Sequence, residues 1–117
     1  MAFLTELQVF RSTCAGPWLV GGDFNIIVFA SDKNNGRLND RSMSRFRRFI
    51  PDMELSVIYL HGRRYSWSNE QVHPTLVRND RVLCTPSWEA AQPSCMLCCL
   101  ALTISYHSPL LIDCTTP

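Results

Sequence analysis

Trp18-Leu19-Val20-Gly21-Gly22-Asp23-Phe24-Asn25 is the stretch on which the fold turns. Its uncharged first part reads as a short buried strand, and the polar residues from Asp23 onward mark where that strand ends. Side chains alternate along a strand, so an aspartate and an asparagine two residues apart at its end point the same way. The carboxylate of Asp23 is then placed to accept a proton from water. The amide of Asn25 is placed to hold a phosphate oxygen or to orient that water. Asp-x-Asn is also ordinary turn chemistry, so the octapeptide argues for a strand before it argues for a function.

Outward from this strand the periodicity is helical on both sides. Phe3, Leu4, Leu7 and Phe10 predict an amphipathic helix over residues 3–12, stopped by Gly16-Pro17. Asn34-Asn35-Gly36 is a turn signal. Met43, Phe46, Phe49 and Ile50 predict a second helix with arginines on its other face, ended or kinked at Ile50 by Pro51. From Leu55 the period falls toward two. Residues 57–60, 64–68, 76–83, 95–104 and 110–113 are strand candidates, with one helical turn around Trp88 after Pro86. Helices early and mainly antiparallel strands late make a mixed α/β chain.

A length of 117 residues allows one domain. With 46% hydrophobic and 18% charged residues the chain is globular, which excludes collagen and wholesale disorder. A net charge of +1 excludes a global electrostatic field that would announce nucleic acid or a membrane. The basic residues are nevertheless uneven. Arg37, Arg41, Arg45, Arg47 and Arg48 crowd one stretch, opposed there only by Asp40. Such a run is either a solvated helix surface or a phosphate-binding face, for which arginine is the better-suited cation.

Residues 1–15 carry Glu6 and no basic leader, so no secretory signal is expected; a reducing compartment and free thiols follow for the six cysteines. Cys95 and Cys98 have C-x-x-C spacing, but no second pair completes a closed site, and no structural zinc is expected. The apolar run 95–104 is about half of the ~20 residues a membrane span needs.

Two further clusters attract attention. Arg78-Asn79-Asp80-Arg81 interrupts an apolar strand pattern, and a carboxylate there suits orienting a histidine through its ring N–H. His107, within Ser105-Tyr106-His107-Ser108-Pro109, lies between two apolar strands. His61 and His73 sit beside Gly62 and Pro74 and read as surface positions.

Taken in order, Trp18 to Asn25, Tyr65-Ser66-Trp67-Ser68-Asn69, Arg78-x-Asp80-Arg81 and Ser105-x-His107-Ser108-Pro109 resemble the C-terminal half of the endonuclease/exonuclease/phosphatase superfamily. Within it the chain is most similar to the endonuclease domain of plant LINE-type (non-LTR) retrotransposons, over about Phe3 to Asp113. The resemblance implies a metal-dependent phosphodiester hydrolase. Asp23 would activate or position the attacking water, and Asn25 would help hold the phosphate. Asp80 would orient His107, which would stabilise charge on the phosphate. It also implies magnesium as cofactor, DNA as partner, and work on chromosomal DNA in the nucleus. Arg41, Arg45, Arg48, Trp67, Asn69 and Arg78 are the candidate nucleic-acid contacts. Neither a membrane nor a tightly held small molecule is expected.

The sequence departs from the family where metal is held. Tyr106 stands where the family has an aspartate ligand, and a neutral phenol is a poor magnesium ligand. The family's metal-binding glutamate belongs to an N-terminal half that residues 1–117 do not supply. The expected fold is therefore a partial four-layered β-sandwich, about one sheet with flanking helices. Its apolar face would be left open, inviting self-association. These departures imply an inactive remnant that does not hold magnesium tightly. The alternative is a non-catalytic binding module using the Arg37–Arg48 face.

Overall fold

A computed structural model describes residues 2–24, 26–62, 65–100 and 107–114. Two of the residues singled out in the sequence, Asn25 and Tyr106, lie outside them, as do parts of the strand candidates 64–68 and 95–104.

The first helix forms as its spacing requires, α1 over Ala2–Thr13, followed by β1 over Leu19–Asp23. A 3-10 turn at Ala30–Asp32 leads to α2, Asp40–Asp52, whose N-terminus is capped by the Asn39 side chain accepting from the Ser42 N–H. Next come β2 (Ser56–Val57), β3 (Leu60–His61), β4 (Trp67–Ser68), β5 (Leu76–Val77) and β6 (Asp80–Cys84). The helix α3, Pro86–Ala91, is capped by Thr85 and carries Trp88, and β7 (Met96–Cys99) and β8 (Leu110–Asp113) complete the described elements.

Strands β1, β6 and β2 form one antiparallel ladder, and β3, β7 and β8 a second in which β3 and β7 run parallel. Residues 56–61 belong to both ladders, and the Ile58 N–H still donates to the Val82 carbonyl at 2.9 Å. The short segment 56–61 thus bends from one three-stranded sheet, ordered β1, β6, β2, into the other, ordered β3, β7, β8. A separate hairpin pairs β4 with β5.

Alternation along β6 sorts the two faces. Leu83 and Val20 turn toward the helices and pack with Leu4, Phe46, Phe49 and Ile50. The fully buried Phe46 ring lies 5.4 Å from that of Phe24, so truncating it should cost about 3–5 kcal/mol. Asp80, Val82 and Cys84 turn to the opposite face, where Val82 clusters with Leu60, Leu97 and Cys99. Extents of 46 × 39 × 21 Å and a radius of gyration of 14.9 Å describe a flat molecule, compared with about 13 Å for a compact chain of this length.

The structure corrects several expectations. Pro51 does not end α2 at Ile50; the helix runs to Asp52, because a proline in the last turn removes a hydrogen bond only at the fraying end. The 76–83 strand is two strands. Arg78 donates its N–H to the Asp32 carbonyl at 2.7 Å and Phe24 donates to the Asn79 carbonyl, so the chain crosses from the hairpin to the central ladder there. Cys95 and Cys114 are not free thiols but a disulfide, since the β7–β8 register that pairs Met96 with Asp113 brings them side by side. Nor is the apolar face uniformly open. The bend lays β3, β7 and β8 against Val82, and Leu19, Met96 and Leu111 are among the exposed apolar residues of the sheet.

Candidate active site

Three side chains far apart in sequence meet at one end of the sheet. Asp23 closes β1 and Asp80 opens β6, and the antiparallel register sets them directly opposite each other. Both lie on the face turned away from the helices. Opposed like charges on neighbouring strands are unfavourable, so this pairing does not exist for the stability of the ladder. His107 comes in from just before β8, held by a single antiparallel bridge to Trp67.

The Asp80 Oδ2 lies 2.9 Å from His107 Nδ1. An ionised carboxylate only accepts, so Nδ1 carries the proton and the hydrogen bond fixes the ring orientation. Nε2 then faces Asp23, whose Oδ2 is 3.8 Å away, too far for a direct hydrogen bond but close enough for both to reach one small group. The ring and the Asp23 carboxylate each keep about a third of their surface exposed, while the Asp80 carboxylate is largely covered. Such an array can orient water or a phosphate oxygen at Nε2 and Asp23 while Asp80 holds the ring.

Ser66 fixes this geometry from below. Its buried hydroxyl accepts from the Asp80 N–H at 3.2 Å, and its carbonyl accepts from the Ser108 N–H at 2.8 Å. One residue of the hairpin thereby sets the height of both Asp80 and His107.

On the other face of β6 lies a buried ion pair. Arg81, 1% exposed, donates through Nη2 to Asp32 Oδ2, which also accepts from the N–H groups of Val28 and Phe29. Burial pushes the Arg81 guanidinium down to about 10, against the opposing pull of Asp32. This pair anchors the loop that follows β1 to the strand that carries Asp80.

The candidate nucleic-acid contacts do not form one surface. Arg41, Arg45 and Arg48 are exposed on α2, on the side of the sheet away from the acidic cluster. Trp67 is beside His107 through its bridge. The Asn69 amide oxygen accepts from the N–H groups of Gln71 and Thr75 and closes the hairpin loop. Arg78 is half-buried beside Asp32, and desolvation lowers its pKa, with the Asp32 and Tyr59 charges opposing that shift.

Asp23, Asp80 and His107 each offer a ligand atom within 4.8 Å of the others. The set does not match magnesium, which takes six oxygens in near-octahedral geometry. One donor here is an imidazole nitrogen, and one carboxylate oxygen of Asp80 is committed to Nδ1.

A carboxylate-oriented histidine facing a second carboxylate, on an α/β sheet backed by helices, is an arrangement of the kind hydrolases use to handle protons. A family model described as the Endonuclease/Exonuclease/phosphatase family matches residues 2–107, and the chain belongs to that family. No curated protein matches it, and no solved structure does. The family generally uses divalent metals and carries nuclease and phosphodiesterase activities. No helix among the described residues is long and apolar enough to cross a membrane.

Sequence reasoning missed Ser66 and Asp32 as positioning residues. Ser66 lay inside a quoted motif without a role. Asp32 was signalled by Arg81, since an arginine in a buried strand requires a carboxylate partner.

Proposed function

We propose that these residues are the aspartate–histidine part of a phosphodiester-hydrolysing domain descended from a LINE-type retrotransposon endonuclease of plant type, and that they do not cleave DNA unaided. The observation that carries the reading is the Asp80–His107 hydrogen bond with Asp23 facing Nε2. Asp80 keeps the imidazole in one orientation. His107 presents Nε2 to a phosphate oxygen, where a hydrogen bond or positive charge stabilises the transition state. Asp23 positions the attacking water from the opposite strand. Asn25 is assigned to the phosphate and Trp67 to the flank of the bound strand. The Asp23, Asp80 and His107 donor set does not suit magnesium. The reading holds that 1–117 corresponds to the C-terminal portion of the family domain, that its natural substrate is chromosomal DNA, and hence that its parent acted in the nucleus.

Plasmid nicking tests this with four proteins: the chain, Tyr106→Asp, and Tyr106→Asp joined to the N-terminal half of an intact relative with and without His107→Ala. The chain and the single variant should leave supercoiled plasmid intact in magnesium. The completed protein should nick it, and His107→Ala should lower that rate by at least about 10²-fold, as loss of a transition-state donor does. Nicking by the unmodified chain that His107→Ala abolishes would show that cleavage needs no second half. Undiminished nicking by the completed His107→Ala protein would remove His107 from the reaction.

A further inference from the structure

Among the described residues, Arg41, Arg45 and Arg48 of α2 enter no ion pair that would explain their placement. Met43, Phe46, Phe49 and Ile50 bury the inner face of the helix in the core. At 100° per residue, Arg41, Arg45 and Arg48 fall within about 60° of arc on the outer side, and all three are exposed. Their spacing of four and three residues makes them helical neighbours, so they repel one another along the row. Arg41 is also in the first helical turn, where the helix dipole disfavours a cation. Among the described residues, none of the three forms an ion pair within 4 Å. Asp52, four residues beyond Arg48, does not close on it.

The row borders a recess. Between α1 and α2 a cavity of about 150 Å³ opens beside Arg45 and Arg48, with Thr5, Gln8 and Asp52 on its polar rim. Concentrated positive charge, a concave polar wall and planar guanidinium groups match the oxygens of successive phosphates.

We propose that the outer face of α2 is a second nucleic-acid surface, in which Arg41, Arg45 and Arg48 bind the phosphate backbone of duplex DNA without reading its sequence. It is separate from the hydrolytic cluster. Leu83 faces α2 whereas Asp80 faces the other way, so the two surfaces lie on opposite sides of the strand. A phosphate at His107 is therefore not the phosphate at Arg45. The face does not suit a bilayer, because the apolar side of the helix is already buried in the core and is not free to insert. The assignment is independent of hydrolysis and stands or falls without it.

The test is fluorescence anisotropy of a labelled 20-base-pair duplex in EDTA, from 50 to 200 mM KCl, so that cleavage plays no part. Each phosphate contact contributes about −0.9 to the slope of log affinity against log salt. Removing three in an Arg41→Gln/Arg45→Gln/Arg48→Gln protein should flatten the slope by about 2.7. Gln is nearly as good a helix former as Arg, and circular dichroism checks that α2 persists. The triple Lys variant should keep the slope. Duplexes of unrelated sequence should bind alike. An unchanged slope in the Gln variant, or no binding by the parent chain, overturns the proposal. So does equal binding of inorganic phosphate, polyglutamate or anionic phosphatidylserine vesicles, since each shows that the duplex backbone is not what the face recognises.

Discussion

Substituting Asp32 tests the argument that the end of the sheet carrying Asp23, Asp80 and His107 is held from behind. Asp32 is buried and gives one carboxylate oxygen to three donors: Arg81 Nη2 and the N–H groups of Val28 and Phe29. In Asp32→Ala the Arg81 guanidinium remains buried without its carboxylate, left only with the Arg78 carbonyl at 3.4 Å, and breaking a buried pair from one side costs about 3–5 kcal/mol. Two backbone N–H groups lose their acceptor as well, at roughly 1–3 kcal/mol each where water does not replace it. The sum reaches the lower part of the ~5–15 kcal/mol that holds a domain together. Asp32→Ala should therefore unfold most of the chain at 25 °C. Asp32→Asn, which keeps an oxygen for the N–H groups and loses only the charge, should cost about half as much. Combining Asp32→Asn with Arg81→Met should recover stability relative to Asp32→Asn alone, because no buried charge is then left unpaired.

The assay is urea denaturation followed by tryptophan fluorescence, with Trp67 beside His107 reporting on the site. A loss below about 1 kcal/mol for Asp32→Ala, with an unchanged denaturant slope, would refute the reasoning, because a buried charge cannot be orphaned so cheaply. The pH dependence has a definite sign. Burial lowers Arg81 in the folded chain to about 10, so below that pH both states carry the charge and the pair's contribution is flat. Only above pH ~10 does the unfolded chain bind more protons than the folded one, and stability relative to Arg81→Met should then rise. A difference between wild type and Arg81→Met that changes between pH 7 and 9 contradicts this.

Two more outcomes follow from backbone and sulfur. Gly62 has φ +100°, and a Cβ built there would lie 2.9 Å from the backbone oxygen of Cys99, so Gly62→Ala should destabilise by about 2–4 kcal/mol through strain and the displaced β7; a melting temperature within a degree of wild type would show that β3 and β7 part easily. Iodoacetamide should label exposed Cys14 first and buried Cys84 last, since burial and the nearby Glu89 push the Cys84 thiol up. Cys114→Ser should cost about 3 kcal/mol, the closure entropy of a loop of 19 residues; mass spectrometry finding Cys95 alkylated in the folded wild-type chain would remove the disulfide.

Periodicity carried the helices and the core, because burying one stripe of a helix demands apolar residues at fixed intervals, and Phe46, Phe49 and Ile50 lie where that rule puts them. It carried the strands less well. Residues 76–83 read as one strand because their apolar pattern is nearly continuous, but pairing partners are chosen by hydrogen bonds that composition does not reveal. Arg78 and Asn79 change partner from the hairpin to the loop after β1. The disulfide was illegible for a similar reason. Cys95 and Cys114 become neighbours through the β7–β8 register, whereas the reading of free thiols came from the compartment. The candidate site was legible only as an ordered set of motifs. Nothing local to Asp23 says that it will face Asp80, 57 positions later; the antiparallel register of two strands says so.

That register separates two kinds of pressure within five residues of β6. Arg81 and Leu83 serve the core and the buried pair, and their partners are chosen by packing. Asp80 faces the other way, opposite another carboxylate, where the ladder is weakened by like charge and no apolar area is buried in return. His107 sits against both carboxylates, one at hydrogen-bond distance and the other at 3.8 Å. The arrangement therefore relieves, with one imidazole, a repulsion that a fold needing only stability would avoid by placing a neutral residue at either position. The physical logic points to a site for handling charge, in which Asp80 orients the imidazole. On the proposed reading binding and cleavage are separable: the Asp80–His107 pair and the arginines of α2 are held by packing within this chain, and the nicking and anisotropy experiments read the two independently.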